Sequence, residues 1–269
     1  MPKLHWDGVG EKLYEVGVDR GILFTLNATT GKYNTGKAWN GLSAVNENPS
    51  GAEPTKVYAD NGLYVNVMSA EEYGATIEAF TYPREFYACN GMASLAAGVY
   101  AGQQTRQKFG FSFRNKIGND VTEDFGYKIH LIYNCLASPS TEDHGTTNES
   151  PDINPLSFEV STDPIDTAEG YKKTAHIVID STEVDPDKLA AFEKILYGDD
   201  ITVDAFSTAE TYEVGDYVTY DSKTYKCVTA VTVAGEWNAD NWEEVTDPES
   251  IGASTLMLPD KVIAFFAEG

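Results

Sequence analysis

Apolar and polar residues alternate most strongly between residues 109 and 140. Phe109, Phe111 and Phe113 fall on one face of an extended segment, with Lys108, Gly110, Ser112 and Arg114 on the other. That period of two is the mark of a half-buried strand. A second segment places Ile129, Leu131, Tyr133 and Cys135 on one face and Lys128, His130, Ile132 and Asn134 opposite. Together the two read as the arms of a long β-hairpin. Residues 115–126 between them are too many for a tight turn, and Gly118, Asn119, Asp120 and Gly126 supply the tolerance of positive φ that such a connection needs. Ile132 is then an apolar residue on the outer, polar face, which either packs on something or meets a partner.

The rest of the chain also reads mainly as β. Residues 15–24 form a glycine-bounded strand, 64–68 a short one, and 75–80, 156–161 and 174–181 further strands. Turn residues are spaced so closely through 27–56 that this stretch reads as loop. Residues 69–72 look like a capped helical turn, and 91–102 fit strand or loop. An acidic loop is expected at 140–155. One helix stands out at 185–198: Asp185 can cap it, Pro186 suits its first position, and Gly198 suits a left-handed exit. Its apolar face is Leu189, Phe192, Ile195 and Leu196, and in a β-rich chain it would plug one open side of a sandwich or barrel. The apolar tail at 258–266 should dock on the same domain.

Residues 205–248 change character and read as three short strands with a turn at Asp221, Ser222 and Lys223. They predict a small β module inserted near the C-terminal end of a larger domain, residues 1–204 completed by 249–269.

Composition narrows the function. The 19 basic and 42 acidic residues give a formal net charge of −23, which argues against a surface that grips nucleic acid, since gripping requires cations that displace counterions from phosphate. It does not argue against a surface that lets nucleic acid pass. No apolar run reaches the length of a bilayer span and no secretory leader pattern opens the chain, so a protein folded in a cytoplasm, without a membrane partner, is expected. Cys89, Cys135 and Cys227 form no paired or zinc-binding spacing and read as buried hydrophobes. The histidines at 5, 130, 144 and 176 are scattered, and no nucleophile elbow or phosphate loop is present. No catalytic residue, cofactor or metal ligand is nominated, and the chain does not read as an enzyme.

Ordered blocks of sequence resemble the major tail protein of long-tailed, non-contractile bacteriophages, the subunit of their tail tube. They are WDGVGEKLYEVGVDRGILF near the start, KAWNGLSAVNENPSGAEPTKVYADN, SAEEYGATIEAFTYPREFYACNG, RQKFGFSFRNKIGND, GYKIHLIYNCLASPS, TTNESPDINPLSFEVSTDP and, after the insert, LMLPDKVIAFF. This resemblance implies a tail-tube-type β-sandwich or barrel with one flanking α-helix. It also implies self-assembly into stacked, hexameric rings in a virion tail, contacts with other tail proteins, and a lumen through which double-stranded DNA passes. Lys108, Arg114, Lys116 and Ile132 of the hairpin are the candidate subunit-interface residues, a mildly basic edge that could meet an acidic face of the next copy. The pattern Y-x-x-G-D-x-V-x-Y, then T-Y-K-C, then W, resembles small carbohydrate-binding modules of the chitin-binding five/twelve kind. Trp237, Trp242 and Tyr220 are the candidates for stacking on sugar rings, with Trp237 the most exposed of them and Trp242 expected in the module's core. The resemblance departs at Phe206, Val228 and Thr229, where that family carries aromatics. A glycan is therefore a partner to consider, and a carbohydrate-binding surface protein is the alternative function.

Overall fold

The computed structural model describes residues 4–142, 146 and 155–267. Most of the expected acidic loop at 140–155 lies outside the described residues, as does His144. The chain forms two units, residues 1–192 with 255–269, and residues 193–254.

The larger unit is a strand-rich fold with short helices. Its strands are, in order, β1 (Tyr14–Thr25), β2 (Lys37–Trp39), β3 (Leu42–Glu47), β4 (Ser50–Gly51), β5 (Pro54–Ala59), β6 (Gly62–Met68), β7 (Glu71–Glu72) and β8 (Gly74–Ala79). A short helix, α1 (Phe86–Cys89), and the small strands β9 (Ala93–Ala96) and β10 (Val99–Ala101) follow. Then come the long arms β11 (Phe109–Gly118) and β12 (Gly126–Ala137), β13 (Leu156–Thr162) and β14 (His176–Asp180).

The main sheet has the order β2-β1-β11-β12-β13-β8-β3, with β14 beside the first half of β12. All its pairings are antiparallel. Register shifts in β1 between Val16 and Ile22, with Gly17 and Arg20 at φ 71° and 51°, bend this strand as β-bulges do. The bend helps the sheet to curl, so that Leu42 of β3 lies against Gly21 of β1, where any Cβ would collide with the leucine methyl.

The inside of the curl is aromatic and buried. Leu23, Trp39, Ile77, Phe86, Phe111, Ile132 and Phe158 belong to one buried cluster. Phe86 of α1 sits among Trp39, Phe158 and Phe109 at 4.6, 4.9 and 5.5 Å between ring centroids. The four-residue α1 therefore fills the interior of the curl. That expected helix is present as α2 (Pro186–Tyr197), capped by the Asp185 carboxylate, which accepts from the amides of Asp187 and Lys188 at 3.0 Å each. Its exit residue Gly198 has φ 90°. The tail is helical too. In α3 (Pro259–Ala267), Phe265 and Phe266 pack on Phe192 of α2, and just before it the Tyr133 hydroxyl donates to the Met257 carbonyl at 2.9 Å.

Three expectations are corrected by this arrangement. Residues 27–56 contain β2, β3, β4 and the start of β5, so turn chemistry there separates short strands rather than marking one loop. Residues 69–72 are not a helical turn: Glu71 and Glu72 pair with Gly51 and Ser50. Ile132 is fully buried. Asn134 adopts φ 49°, and the β11–β12 register shifts between Phe109 and Phe111. This bulge breaks the period of two, so Ile132 before it and Cys135 after it both face the aromatic interior.

The smaller unit carries β15 (Asp204–Ala205), β16 (Tyr217–Tyr220), β17 (Lys223–Cys227) and β18 (Trp242–Glu244) in that spatial order. These are the three expected strands plus a short parallel one, β15. Asp221 and Ser222, both at positive φ (48° and 62°), make the two-residue turn between β16 and β17 that suits the twist of a hairpin.

Candidate functional site

Three regions bear on function. The first is the hairpin proposed to face a neighbouring copy. Its cations already have partners within the chain. Arg114 grips the Asp19 carboxylate through two bonds of 2.7 Å and lies over the Tyr127 ring, Lys116 reaches Asp124 at 3.3 Å, and Lys108 and Lys128 bind Asp163 and Glu15. Asp19 is held below its ordinary value, chiefly by the Arg114 bonds and against the opposing effect of burial. Long-range attraction of an acidic neighbour by Lys108, Arg114 and Lys116 is thus largely spent at home, and the buried Ile132 offers no surface.

The second region is the projecting pair β5–β6. All thirteen of its residues are exposed. Val57, Val65 and Val67 share one face, the register shift between Val57 and Tyr58 turns Leu63 to the other with Tyr58, and Tyr64 and Met68 are 75% and 65% exposed. A two-stranded ribbon is marginal by itself in water, and contiguous exposed apolar side chains mark an interaction surface. No charge pattern distinguishes this ribbon in the sequence, and the expected loop there hid its first strand.

The third region lies in the smaller unit. Tyr212, Val218, Cys227 and Trp242 are its buried core, with Phe206, Tyr225, Val231 and Trp237 packed against them. Trp237 stacks on Tyr220 at 4.1 Å and on Trp242 at 5.1 Å, the planes 5° and 12° from parallel. Two rings that close and that parallel cannot share one face of an indole without overlapping, so Trp237 is the middle of a three-ring stack. Phe206 abuts all three edge-on. Trp237, the expected open platform, is half-buried, whereas Tyr220 at the end of the stack is 39% exposed.

Residues 205–250 match the model of carbohydrate-binding module family 5/12. No curated protein matches the chain. Among solved structures, the chain is similar to one from an extracellular contractile injection system, the PVC sheath–tube complex in its extended state. The identity is 12% and the TM-score 0.32, over 60% of this chain and 88% of that one. A chain from the baseplate of the anti-feeding prophage, 6-fold symmetrised, is similar at 8% identity and TM-score 0.32, over 60% of this chain and 92% of that one. The carbohydrate-binding match concerns the module alone, and structural likenesses this distant support no functional conclusion.

One cluster escapes sequence inspection altogether. Glu47 ends β3, His130 lies in β12 opposite Val178, and His176 opens β14 opposite Ile132. The curl of the sheet carries β3 over β12, and the three side chains meet where the aromatic interior gives way to polar residues, with His130 stacked on Phe113 at 4.4 Å. The histidines are 46 residues apart, so no spacing rule could have joined them. Among the described residues no helix is long and apolar enough to cross a membrane.

Proposed function

We propose that this protein is a structural virion component, the subunit of a tail tube of the long-tailed, non-contractile phage type, assembling into stacked hexameric rings around a DNA channel. The observation that carries the reading is the β5–β6 ribbon, whose apolar side chains are exposed on both faces and which a single copy leaves uncovered. The ordered sequence blocks resembling tail-tube subunits support it, and so does the open-ended sheet, since closed rings use up edges that would otherwise pair without control. The net charge of −23 suits a conduit, because excess acid repels phosphate and lets DNA slide. Negative-stain images and light scattering of concentrated protein are expected to show rings or tubes. Monodisperse monomers across all salt concentrations would defeat the proposal.

A second reading is favoured by the module itself: a virion or surface protein that adheres to glycan through residues 205–248. In the tube reading, the same module decorates the tube exterior. Tyr220 is the surface to test, as a flat exposed ring can cover the apolar face of a pyranose. Retention on chitin is expected to fall about tenfold in Tyr220→Ala, equivalent to ~1.4 kcal/mol, while Trp237→Ala is expected to lower the module's melting point as well. Equal retention by wild type and Tyr220→Ala would remove this tyrosine from any glycan site.

A further inference from the structure

Glu47, His130 and His176 each present one ligating atom to the same point. His130 Nδ1 lies 3.0 Å from His176 Nε2 and 3.1 Å from Glu47 Oε1, and His176 Nε2 lies 3.6 Å from the same oxygen. In a tetrahedral site with metal–nitrogen bonds of ~2.0–2.1 Å, neighbouring ligand atoms stand ~3.3–3.4 Å apart. The observed triangle brackets that spacing.

The outer hydrogen bonds settle which atoms carry protons. The Asn115 amide nitrogen donates to the Glu15 carboxylate at 2.6 Å, which turns its carbonyl oxygen toward His130 Nε2 at 2.8 Å. His130 Nε2 must therefore be the protonated nitrogen, and in the neutral ring Nδ1 is a bare lone pair aimed at the cluster. A His176 Nε2 proton can bridge the two rings, yet it leaves His130 Nδ1 and the Glu47 oxygen facing each other as two acceptors. A cation between them removes that repulsion.

We propose that Glu47, His130 and His176 bind one divalent transition-metal ion of the zinc class, with Asn115 and Glu15 as the positioning residues that orient His130. Two imidazoles and a carboxylate suit zinc, cobalt or nickel rather than calcium or magnesium, which take oxygen ligands. A ligating histidine whose other nitrogen donates to a carbonyl, itself held by a carboxylate, is the usual outer arrangement of such sites. An open pocket of about 400 Å³, lined by Glu15, Val45, Glu47, Phe113, Asn115 and His130 among others, gives the ion a route in and a water for its fourth position. The ion would tie β3 to the paired strands β12 and β14, neither of which is its neighbour in the sheet.

Titration calorimetry of the full chain with Zn²⁺, after chelator treatment, is expected to show one site per chain. The Co²⁺ form is expected to give the visible absorption of a tetrahedral ion. Glu47→Gln and His176→Ala should each abolish the absorption, and Asn115→Ala should weaken affinity about 10–100-fold. Glu47 lies at the cluster's exposed side, so its variant keeps the fold, and matching circular dichroism spectra verify this. Lack of saturable one-to-one binding by the wild type would overturn the site. So would binding and absorption unaltered in Glu47→Gln and His176→Ala, which would locate the ion on the acidic surface instead.

Discussion

Ile132→Asp is expected to yield no folded protein. Ile132 has no exposed surface and lies in the aromatic interior with Phe111 and Cys135. Deleting a buried isoleucine down to alanine costs about 2–5 kcal/mol. A carboxylate in the same place adds several kcal/mol more unless it neutralises. Against a domain stability of about 5–15 kcal/mol, the sum removes most or all of the margin. Expression in the insoluble fraction, or loss of cooperative thermal unfolding by circular dichroism, checks it, with Ile132→Val as a control expected to cost only about 0.5–1.5 kcal/mol. An Ile132→Asp protein that melts near the wild-type temperature and merely fails to assemble would place this side chain at a subunit interface after all.

The same residue shows how far alternation can be read. The hairpin of β11 and β12, the inward phenylalanines and the capped α2 all follow from local patterns: a period of two, an aspartate ahead of a proline, a glycine at the exit. Parity fails at a single point. One left-handed asparagine, Asn134, inserts a residue into the count and exchanges the faces of everything after it. Asparagine tolerates the left-handed region better than most residues, but the letters NCLA do not say that the strand bulges there.

Tertiary placement was less legible still. Phe86 fills the interior from a helix of four residues, too short to show any helical period. Glu47, His130 and His176 come together only because the sheet curls, and the bulges in β1 that help it to curl are distant from all three in sequence. The small module was the opposite case. Its strands and turn were visible because a tiny domain builds its core from a few aromatics at nearly fixed spacing. What the pattern did not show was that Trp237 would be enclosed between two other rings, leaving Tyr220 as the open one.

The ribbon is the place where folding and assembly separate most cleanly. Val65→Lys combined with Val67→Lys is expected to leave the monomer's fold intact and to abolish tubes. Both positions are exposed, at 41% and 52%, so the substitutions remove little buried area within one chain, and surface changes of this type usually shift stability by no more than ~0.5 kcal/mol. In an assembly the same face would be covered. Each lost apolar anchor is then worth about 2 kcal/mol, or roughly 30-fold in affinity per contact, and placing an ammonium there also burdens the contact with an unpaired charge. Lysine is the informative choice because a chain of net charge −23 would resist added acid through repulsion alone. Lysine lowers that repulsion, so failure to assemble can be attributed to the lost surface. Unchanged melting together with a monomeric light-scattering mass is the expected pair of results. Tubes of wild-type length from the double variant would show that the ribbon's apolar face stays in water in the assembled state, and the structural reading would then have to rest on some other edge of the sheet.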